Sequence, residues 1–357
     1  MPPNSVAADH EYAIWSEADD RRLWEENWHL FCHRSEVATS FDYFRMEIFG
    51  QEVVAFHDGA QVVAFDNHCP HRGTRIFDGT SGKQRWVCPY HGWSFLKGRF
   101  FVPQKDTFSG NDPTTAQLAR YQIAWVGDFL FVAKSPRQTI EVQLAGVYDT
   151  VAAISRSIGA RRDLNCYPYH CDWKIAVENA LDQYHVSLVH QDTLNRLKLN
   201  PAVDEFFGFN NISRATLGDE KTAKKLRSLC RLFDVEYRPE TYVAIHLFPF
   251  TFLTTTFGYS YSLQQFYPTP AQYNTKFTSR FFAGRLSRKI PPENMNAFFD
   301  SSIALNREVF EEDATICARI PSTRWSAYPE QFVCAGEDKV VQFRRLMRDF
   351  AGWPPID

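Results

Sequence analysis

The N-terminal third of the chain changes from a helical to a strand-like hydrophobic pattern. Apolar residues recur at helical spacing over residues 17–33, with acidic residues in the first turn, which predicts a helix. Over residues 41–67 the period falls to two, and two apolar runs flank Asp58 and Gly59, a typical hairpin turn. Further strand-like runs cover residues 85–95 and 123–133. We therefore expect a helical segment over residues 1–39 and a compact all-β module over residues 40–137.

The pattern beyond residue 137 mixes helices and strands. A helix is predicted over residues 142–158, and a stronger one over 173–190 with Asp172 as its N-cap. Strands fill residues 240–285, and a proline-initiated helix follows over 291–320. This order predicts a second domain over residues 138–357 in which helices pack on an antiparallel sheet, so the chain as a whole is α+β.

Composition and charge narrow the class of protein. The chain has 357 residues and a net charge of −3, which argues against a generally basic nucleic-acid-binding protein. No run is long and apolar enough to cross a bilayer, and the first residues lack the basic start of an export signal. We therefore expect a cytoplasmic protein whose eight cysteines are free or metal-bound rather than paired in disulfides.

Two cysteine–histidine clusters lie inside the β module. Cys69 and His71 form a C-x-H motif, and Cys88 and His91 form a C-x-x-H motif sixteen residues later. Three interpretations compete: a structural Cys₂His₂ zinc site, a 2Fe–2S cluster with both cysteines on one iron and both histidines on the other, or four unrelated polar loop residues. Because each arm supplies one Cys and one His, the spacing favours the iron–sulfur cluster over zinc.

A second candidate metal site follows in the sequence ENALDQYHVSLVH, residues 178–190. Two imidazoles and a carboxylate form the facial triad of non-haem Fe(II) oxygenases. His185 and His190 are five residues apart, about 140° around a regular helix, so the helix must end or carry a π-bulge between them. The alternative is a helix with an ordinary solvated polar face.

The loops CPHRG and CPYHGW resemble those of Rieske oxygenases and their ferredoxins, and ENALDQYHVSLVH resembles the iron motif of Rieske ring-hydroxylating oxygenase α subunits. This resemblance implies a helix-grip-like catalytic domain with Fe(II) held by His185, His190 and a later aspartate, which is Asp313 or, failing that, Glu312. It also implies that Asp182 links His185 to a cluster histidine of a neighbouring subunit in a trimer, with His91 favoured over His71. Asn179 is expected beside the iron.

The resemblance implies a terminal oxygenase that uses O₂ and externally supplied electrons. Since no G-x-G-x-x-G motif follows a strand, a ferredoxin or flavin reductase must deliver the electrons, and a β subunit can accompany the trimer. Basic residues near the cluster would form a rim for that donor: Arg72, Arg75, Lys97 and Arg99.

We expect an aromatic or hydrophobic substrate, as in aromatic hydrocarbon catabolism, and the alternative is demethylation or monooxygenation of a non-aromatic or N- or O-methylated molecule. An electron carrier and a zinc-stabilised binding protein are remote alternatives. Five aromatic residues of the catalytic half are candidates for the pocket, although most are expected in the sheet core: Phe248, Phe250, Phe252, Phe257 and Tyr259.

Overall fold

The computed structural model describes residues 15–269, 274–322, 325 and 333–353. Its first element, α1 (Glu17–Glu26), begins with a capping box between Ser16 and Asp19. The predicted helix over 17–33 is wrong beyond Asn27, where the backbone becomes extended and β1 (His29–His33) follows. All five residues of β1 are buried and the strand pairs with β10, so tertiary pairing overrides the helical spacing. Residues 1–14 of the helical segment expected over residues 1–39 lie outside the residues that the structure describes.

Ten short strands lie in the described part of the N-terminal half, and they form three antiparallel sheets with the orders β1-β10-β9, β4-β3-β2-β5 and β6-β7-β8. After β1, the strands are β2 (Asp42–Ile48), β3 (Gln51–His57), β4 (Val62–Asp66), β5 (Ser81–Lys83), β6 (Trp86–Val87), β7 (Ser94–Leu96), β8 (Arg99–Phe101), β9 (Gln122–Val126) and β10 (Phe129–Ala133). The predicted hairpin at Asp58 and Gly59 joins β3 to β4. The predicted strand over 85–95 is split, because residues 88–93 form a loop between β6 and β7.

The C-terminal half contains a seven-stranded antiparallel sheet with the order β11-β17-β16-β15-β14-β13-β12. Its strands are β11 (Ile158–Tyr169), β12 (Val203–Phe207), β13 (Asn210–Ala215), β14 (Tyr242–Leu247), β15 (Thr251–Thr256), β16 (Ser260–Pro268) and β17 (Thr275–Gly284). The helices are α2 (Ile140–Leu144), α3 (Tyr148–Ser157), α4 (Trp173–Leu181), α5 (Val186–Val189), α6 (Glu220–Cys230), α7 (Asn296–Cys317) and α8 (Asp338–Ala351). The α+β class is confirmed, and so is the long helix expected over 291–320, which begins with a 3₁₀ turn at Pro292–Met295.

The helix predicted over 173–190 is much shorter. Asp172 caps α4 as expected, since its side chain accepts a hydrogen bond from the Lys174 N–H. The helix ends at Leu181 because Asp182 adopts an extended conformation, and its carboxylate accepts a bond from the Tyr184 N–H at 2.6 Å. His185 and His190 therefore flank the separate four-residue helix α5, which removes the angular conflict found in the sequence.

The two faces of the large sheet differ in polarity. One face contributes buried aliphatic residues to a core beneath the sheet: Ile212, Val243, Ile245, Leu253 and Leu263. The opposite face is mixed. Phe252, Phe266 and Phe277 join a second core with α4 and α7, and smaller or polar side chains on the same face border a cavity: Ser213, Ala244, Thr254 and Gln264. Period-two alternation therefore separates an aliphatic core from a face that carries both aromatic core residues and cavity-lining residues. Among the described residues, no helix has the length and apolar character needed to cross a membrane.

Candidate metal centres

The two cysteine–histidine loops have the same backbone design. In the first loop the Cys69 N–H donates to the Thr74 carbonyl at 2.9 Å and the Gly73 N–H donates to the Cys69 carbonyl at 2.8 Å. In the second loop the Cys88 N–H donates to the Trp93 carbonyl at 2.7 Å, and the Gly92 N–H donates to the Cys88 carbonyl at 3.0 Å. Both glycines adopt positive φ, +72° and +70°, which other residues adopt only with strain. The sequence therefore folds two matching turns, each with a cysteine at its base.

The side chains of the two loops converge. Both Cys69 and Cys88 are buried at 2% exposure, and the rings of His71 and His91 lie 4.8 Å apart between centroids. The Nδ1 atom of His71 is buried and has no hydrogen-bond partner, which is costly for an imidazole nitrogen unless it ligates a metal. His91 is exposed. Two thiols, one orphaned imidazole nitrogen and a second imidazole fit a cluster with mixed sulfur and nitrogen ligands.

Backbone donors surround the cysteine sulfurs. Burial opposes ionisation of Cys88, but the N–H groups of His91 and Tyr90 and the hydroxyl of Thr74 together hold the pKa of its thiol below the usual value. Burial raises the pKa of Cys69, although the His71 N–H acts in the opposite direction. Such donors stabilise a thiolate, which is the form that binds iron.

The surroundings of the first centre are aromatic and basic. The ring of Trp93 stacks on His71 with an interplanar angle of 1° and a centroid separation of 4.9 Å. Of the four residues expected to form a basic rim, Arg75 has a structural role, since its guanidinium pairs with the nearly buried Glu52 at 2.8 Å. All four side chains are exposed, Arg75 by 54%, and Arg72, Lys97 and Arg99 carry the rest of the expected rim.

The second centre gathers His185, His190 and Asp313. One ligand-type atom from each lies within 4.8 Å of the other two. Asp313 Oδ1 is 3.0 Å from His190 Nε2 and 3.5 Å from His185 Nε2, and the two Nε2 atoms are 3.3 Å apart. Glu312, the fallback for the third position, lies instead against the other nitrogen of His190. The structure thus brings together the residues favoured from the sequence.

Each of these three side chains has a further hydrogen-bond partner, which for Asp313 contacts the same Oδ1 atom that faces the two imidazoles. Asp182 Oδ2 lies 3.1 Å from His185 Nδ1, and Asn179 Nδ2 donates to Asp313 Oδ1 at 2.8 Å. Glu312 Oε2 lies 2.7 Å from His190 Nδ1. If each carboxylate accepts an N–H from its imidazole, both Nε2 atoms present lone pairs to the space between them.

Electrostatics in this centre favour a cation. Burial lowers the pKa of His185, but hydrogen bonds to Asp182 and Asp313 outweigh burial and raise it to about 9. Burial likewise opposes ionisation of Asp313, and bonds from both imidazoles hold its pKa below the usual value. The two Nε2 atoms lie 3.3 Å apart beside the Asp313 carboxylate, so this space suits a positive charge, which is a proton in the metal-free site and can be replaced by a metal ion. Two imidazoles, one carboxylate and this field fit a divalent iron with open coordination positions.

A cavity of about 600 Å³ opens beside the second centre. Its lining mixes apolar side chains, such as Leu181, Val186 and Phe310, with polar side chains from the sheet and from the helices and loops opposite the sheet. Of the five candidate aromatic residues, Phe252 lines this cavity, and the buried Phe248, Phe250 and Phe257 and the half-buried Tyr259 pack elsewhere. A small molecule bound there would lie against both the ligand set and hydrogen-bonding side chains.

Sequence reasoning missed several residues of this site. Tyr242 and His246 line the cavity from β14, and Thr193 donates to Glu312 at 2.6 Å. Their alternation on β14 could have placed Tyr242 and His246 on one face of the sheet. No local signal relates Thr193 to Glu312, since the two residues are 119 positions apart.

Two protein-family models match the chain. The Rieske [2Fe-2S] domain matches residues 27–108, and the catalytic domain of the ring-hydroxylating α subunits matches residues 149–353.

Curated relatives include mono- and dioxygenases. The chain is 31% identical over 184 residues to the carnitine monooxygenase oxygenase subunit of Escherichia coli K12, covering 49% of this chain and 48% of that protein. It is 26% identical over 222 residues to the anthranilate 1,2-dioxygenase large subunit of Acinetobacter baylyi, and this match covers 58% of this chain and 47% of that protein. The match thus spans about half the length of these relatives.

Solved structures share the fold over most of the chain. The quaternary ammonium Rieske monooxygenase CntA with L-carnitine superposes with a TM-score of 0.74 at 17% identity, covering 94% of this chain and 91% of that one. Naphthalene 1,2-dioxygenase with indole gives a TM-score of 0.67 at 17% identity, and the superposition covers 88% of this chain and 79% of that chain. Together with the family match over more than half of its residues, this shows that the chain belongs to the ring-hydroxylating oxygenase α subunits, whose cofactors are a Rieske [2Fe–2S] cluster and a mononuclear iron.

Proposed function

We propose that this chain is the terminal oxygenase of a multicomponent Rieske system, in which O₂ and electrons from a separate donor oxidise a small organic molecule. The observation that carries the proposal is the convergence of His185, His190 and Asp313 beside a cavity, in a chain that also carries a Rieske domain. Residues 40–137 would form the cluster domain and 138–357 the catalytic domain. The free cysteines suit a reducing cytoplasm.

The cofactors would be held by the two side-chain sets described above. Cys69, His71, Cys88 and His91 would hold the cluster. The mononuclear iron would be held by the two imidazoles and the carboxylate, and when bound it supplies reductive activation of O₂.

The chain's own residues would organise this chemistry. Asp182 would orient His185 through its Nδ1, and Asn179 would hold the Asp313 carboxylate towards the metal. The cavity would bind the substrate and exclude bulk water.

Electron supply would cross a subunit boundary. His91 is exposed at the tip of its loop, beside Tyr90, which is 62% exposed. Near Asp182, Tyr184 and Leu188 are 69% and 67% exposed, so apolar surface adjoins both centres. We therefore propose a homotrimer in which His91 of one subunit meets Asp182 of the next. A ferredoxin or flavin reductase would dock at the cluster loops, and a β subunit is compatible with this arrangement.

The mixed lining of the cavity supports a small organic substrate with both apolar and polar parts. An aromatic or otherwise hydrophobic molecule would pack against side chains such as Val186 and Phe310, and its polar substituents would reach Ser213 or Thr254. Demethylation or monooxygenation of an N- or O-methylated or non-aromatic molecule is the second candidate. It is favoured by the relatives named as carnitine and glycine betaine monooxygenases.

The test is substrate-dependent O₂ uptake by the reconstituted protein with a surrogate reductase, over a panel of aromatic acids, hydrocarbons and methylated amines. Formaldehyde release separates demethylation from ring hydroxylation. An electron carrier would be reduced without taking up O₂ in the presence of any substrate, and a zinc-stabilised binding protein would be colourless and free of acid-labile sulfide.

Asp182→Ala should leave the visible spectrum of the cluster unchanged and reduce product formation at least tenfold. The matched control is Asp192→Ala, because Asp192 lies on the same segment with its side chain 89% exposed. Normal turnover by the Asp182 variant would remove the proposed electron route.

A further inference from the structure

Two adjacent carboxylates of α7 bracket one imidazole. Asp313 Oδ1 lies 3.0 Å from His190 Nε2, whereas Glu312 Oε2 lies 2.7 Å from His190 Nδ1 on the opposite side of the ring. Successive residues of an α-helix are rotated by about 100°, so the two side chains leave the helix in different directions. Glu312 therefore reaches the outer nitrogen of His190 while Asp313 reaches the inner one.

Glu312 is itself held in place. The Thr193 hydroxyl donates to its Oε2 at 2.6 Å, and the Thr193 N–H donates to the His190 carbonyl at 3.2 Å. Thr193 is 3% exposed and His190 is 1% exposed, so both partners of the Glu312 carboxylate are shielded from bulk water. The contacts link α7 to the loop that carries His190, and they leave the imidazole little rotational freedom.

From this geometry we infer that Glu312 is a positioning residue for the mononuclear iron. An ionised carboxylate only accepts hydrogen bonds, so it fixes the proton of His190 on Nδ1 and leaves the Nε2 lone pair for the metal. The inference rests on the proposed function, in which His190 is an iron ligand. It assigns Glu312 a role through His190 and not a place in the coordination sphere.

The charge on Glu312 adds to its geometric role. A hydrogen bond to a carboxylate is stronger than one to a neutral amide and increases the donor strength of the imidazole. Glutamine keeps an acceptor oxygen but loses the charge, and alanine loses both. Metal affinity should therefore decrease in the order Glu, Gln, Ala. The Glu312 side chain is 30% exposed and borders an open groove, so these substitutions do not disturb a packed core.

The test uses the full-length protein with its cluster oxidised and its mononuclear iron removed by mild chelation. Anaerobic titration with Co(II), followed by electron paramagnetic resonance, reports on the second centre alone, because the oxidised cluster gives no signal. We expect Glu312→Ala to weaken Co(II) binding 10–100-fold and to alter the shape of the signal, with Glu312→Gln intermediate. Thr193→Val should weaken Co(II) binding less than Glu312→Ala does. In the double variant, Thr193→Val should add little to the loss of Co(II) affinity caused by Glu312→Ala.

Glu308→Ala is the matched control, since Glu308 is an exposed carboxylate on the same helix and borders the same groove. Its Co(II) affinity should equal that of the unmodified protein. Loss of the contacts to His190 and Thr193 should also lower the thermal midpoint of the metal-free Glu312→Ala protein, so the titration is run well below that midpoint; a merely structural role would lower the midpoint and leave the Co(II) affinity of the folded protein unchanged.

Three results would overturn the inference. The first is a Co(II) affinity of Glu312→Ala within twofold of that of the unmodified protein. The second is a loss of Co(II) affinity in Glu308→Ala equal to that in Glu312→Ala. The third is that Glu312→Ala abolishes Co(II) binding while Asp313→Ala retains it. The last result would make Glu312 the ligand. Failure of the unmodified protein to bind Co(II) at this centre would instead remove the proposed iron site itself, so the two failures are distinguishable.

Discussion

Replacing Asp20 by Asn should change how the stability of the protein depends on pH. Asp20 Oδ1 accepts hydrogen bonds from the indole N–H groups of Trp15 and Trp173, at 2.6 and 2.7 Å. Burial raises the pKa of this carboxyl from 3.8 to about 6, against the opposing effect of the Lys174 ammonium. Asn keeps an acceptor oxygen for both indoles and carries no charge at any pH, so the substitution isolates the ionisation.

The magnitude follows from the pKa difference between the folded and unfolded chains. Because the folded state binds the proton more tightly, the stability contributed by protonated Asp20 is complete below about pH 4 and is lost as the pH rises through about 6. A shift from 3.8 to about 6 corresponds to about 3 kcal/mol in total. About 1.5 kcal/mol of this loss falls between pH 5 and pH 8.

The assay is urea unfolding at several pH values from 5 to 8, followed by far-ultraviolet circular dichroism. The free energy of unfolding of Asp20→Asn, minus that of the unmodified protein, should grow by about 1.5 kcal/mol over this range. Glu17→Gln is the matched control for removal of a carboxylate charge, since Glu17 lies on the same helix with its side chain 60% exposed. A difference for Asp20→Asn that is constant with pH would refute the reasoning.

Three further predictions concern the two centres. His185→Ala and His190→Ala should each lose mononuclear iron while keeping the rhombic resonance of the reduced cluster; full iron content in metal analysis would contradict their assignment as ligands. Gly73→Ala should cost ~1 kcal/mol in thermal unfolding, because Gly73 has φ +72° with open space around a built Cβ, and Gly73→Asn should cost less. The reduction potential of the cluster should be low, nearer about −150 than +300 mV. Trp93 offers no hydroxyl to the sulfurs, and fewer hydrogen bonds to the sulfurs stabilise the reduced cluster less. Thr74→Val should lower the potential further in voltammetry, and an unchanged value would exclude the Thr74 hydroxyl as a donor to Cys88.

Local motifs made both centres predictable from the sequence, because the residues that would hold the cluster lie on two short loops and two of the iron candidates lie five residues apart. The errors arose where distant parts of the chain decide the structure. Residues 29–33 have helical spacing but become a strand, since β10 supplies hydrogen-bond partners across the module. The end of α4 depends on the Asp182 carboxylate capping the Tyr184 N–H, a contact that periodicity does not reveal. The contact between Glu312 and His190 Nδ1 could not be predicted from the sequence, because it depends on how α7 packs against the loop that carries His190.

The alternation of core and cavity positions along the large sheet has an evolutionary consequence. The side chains of Ser213, Ala244 and Thr254 border the cavity, while their neighbours along the same strands, such as Ile212 and Val243, secure the fold from beneath. Phe252 has both roles, since it lines the cavity and packs in the core on the cavity side of the sheet. Selection for new substrates can therefore act on the small cavity-side positions largely apart from selection for a stable chain, whereas a change at Phe252 affects both.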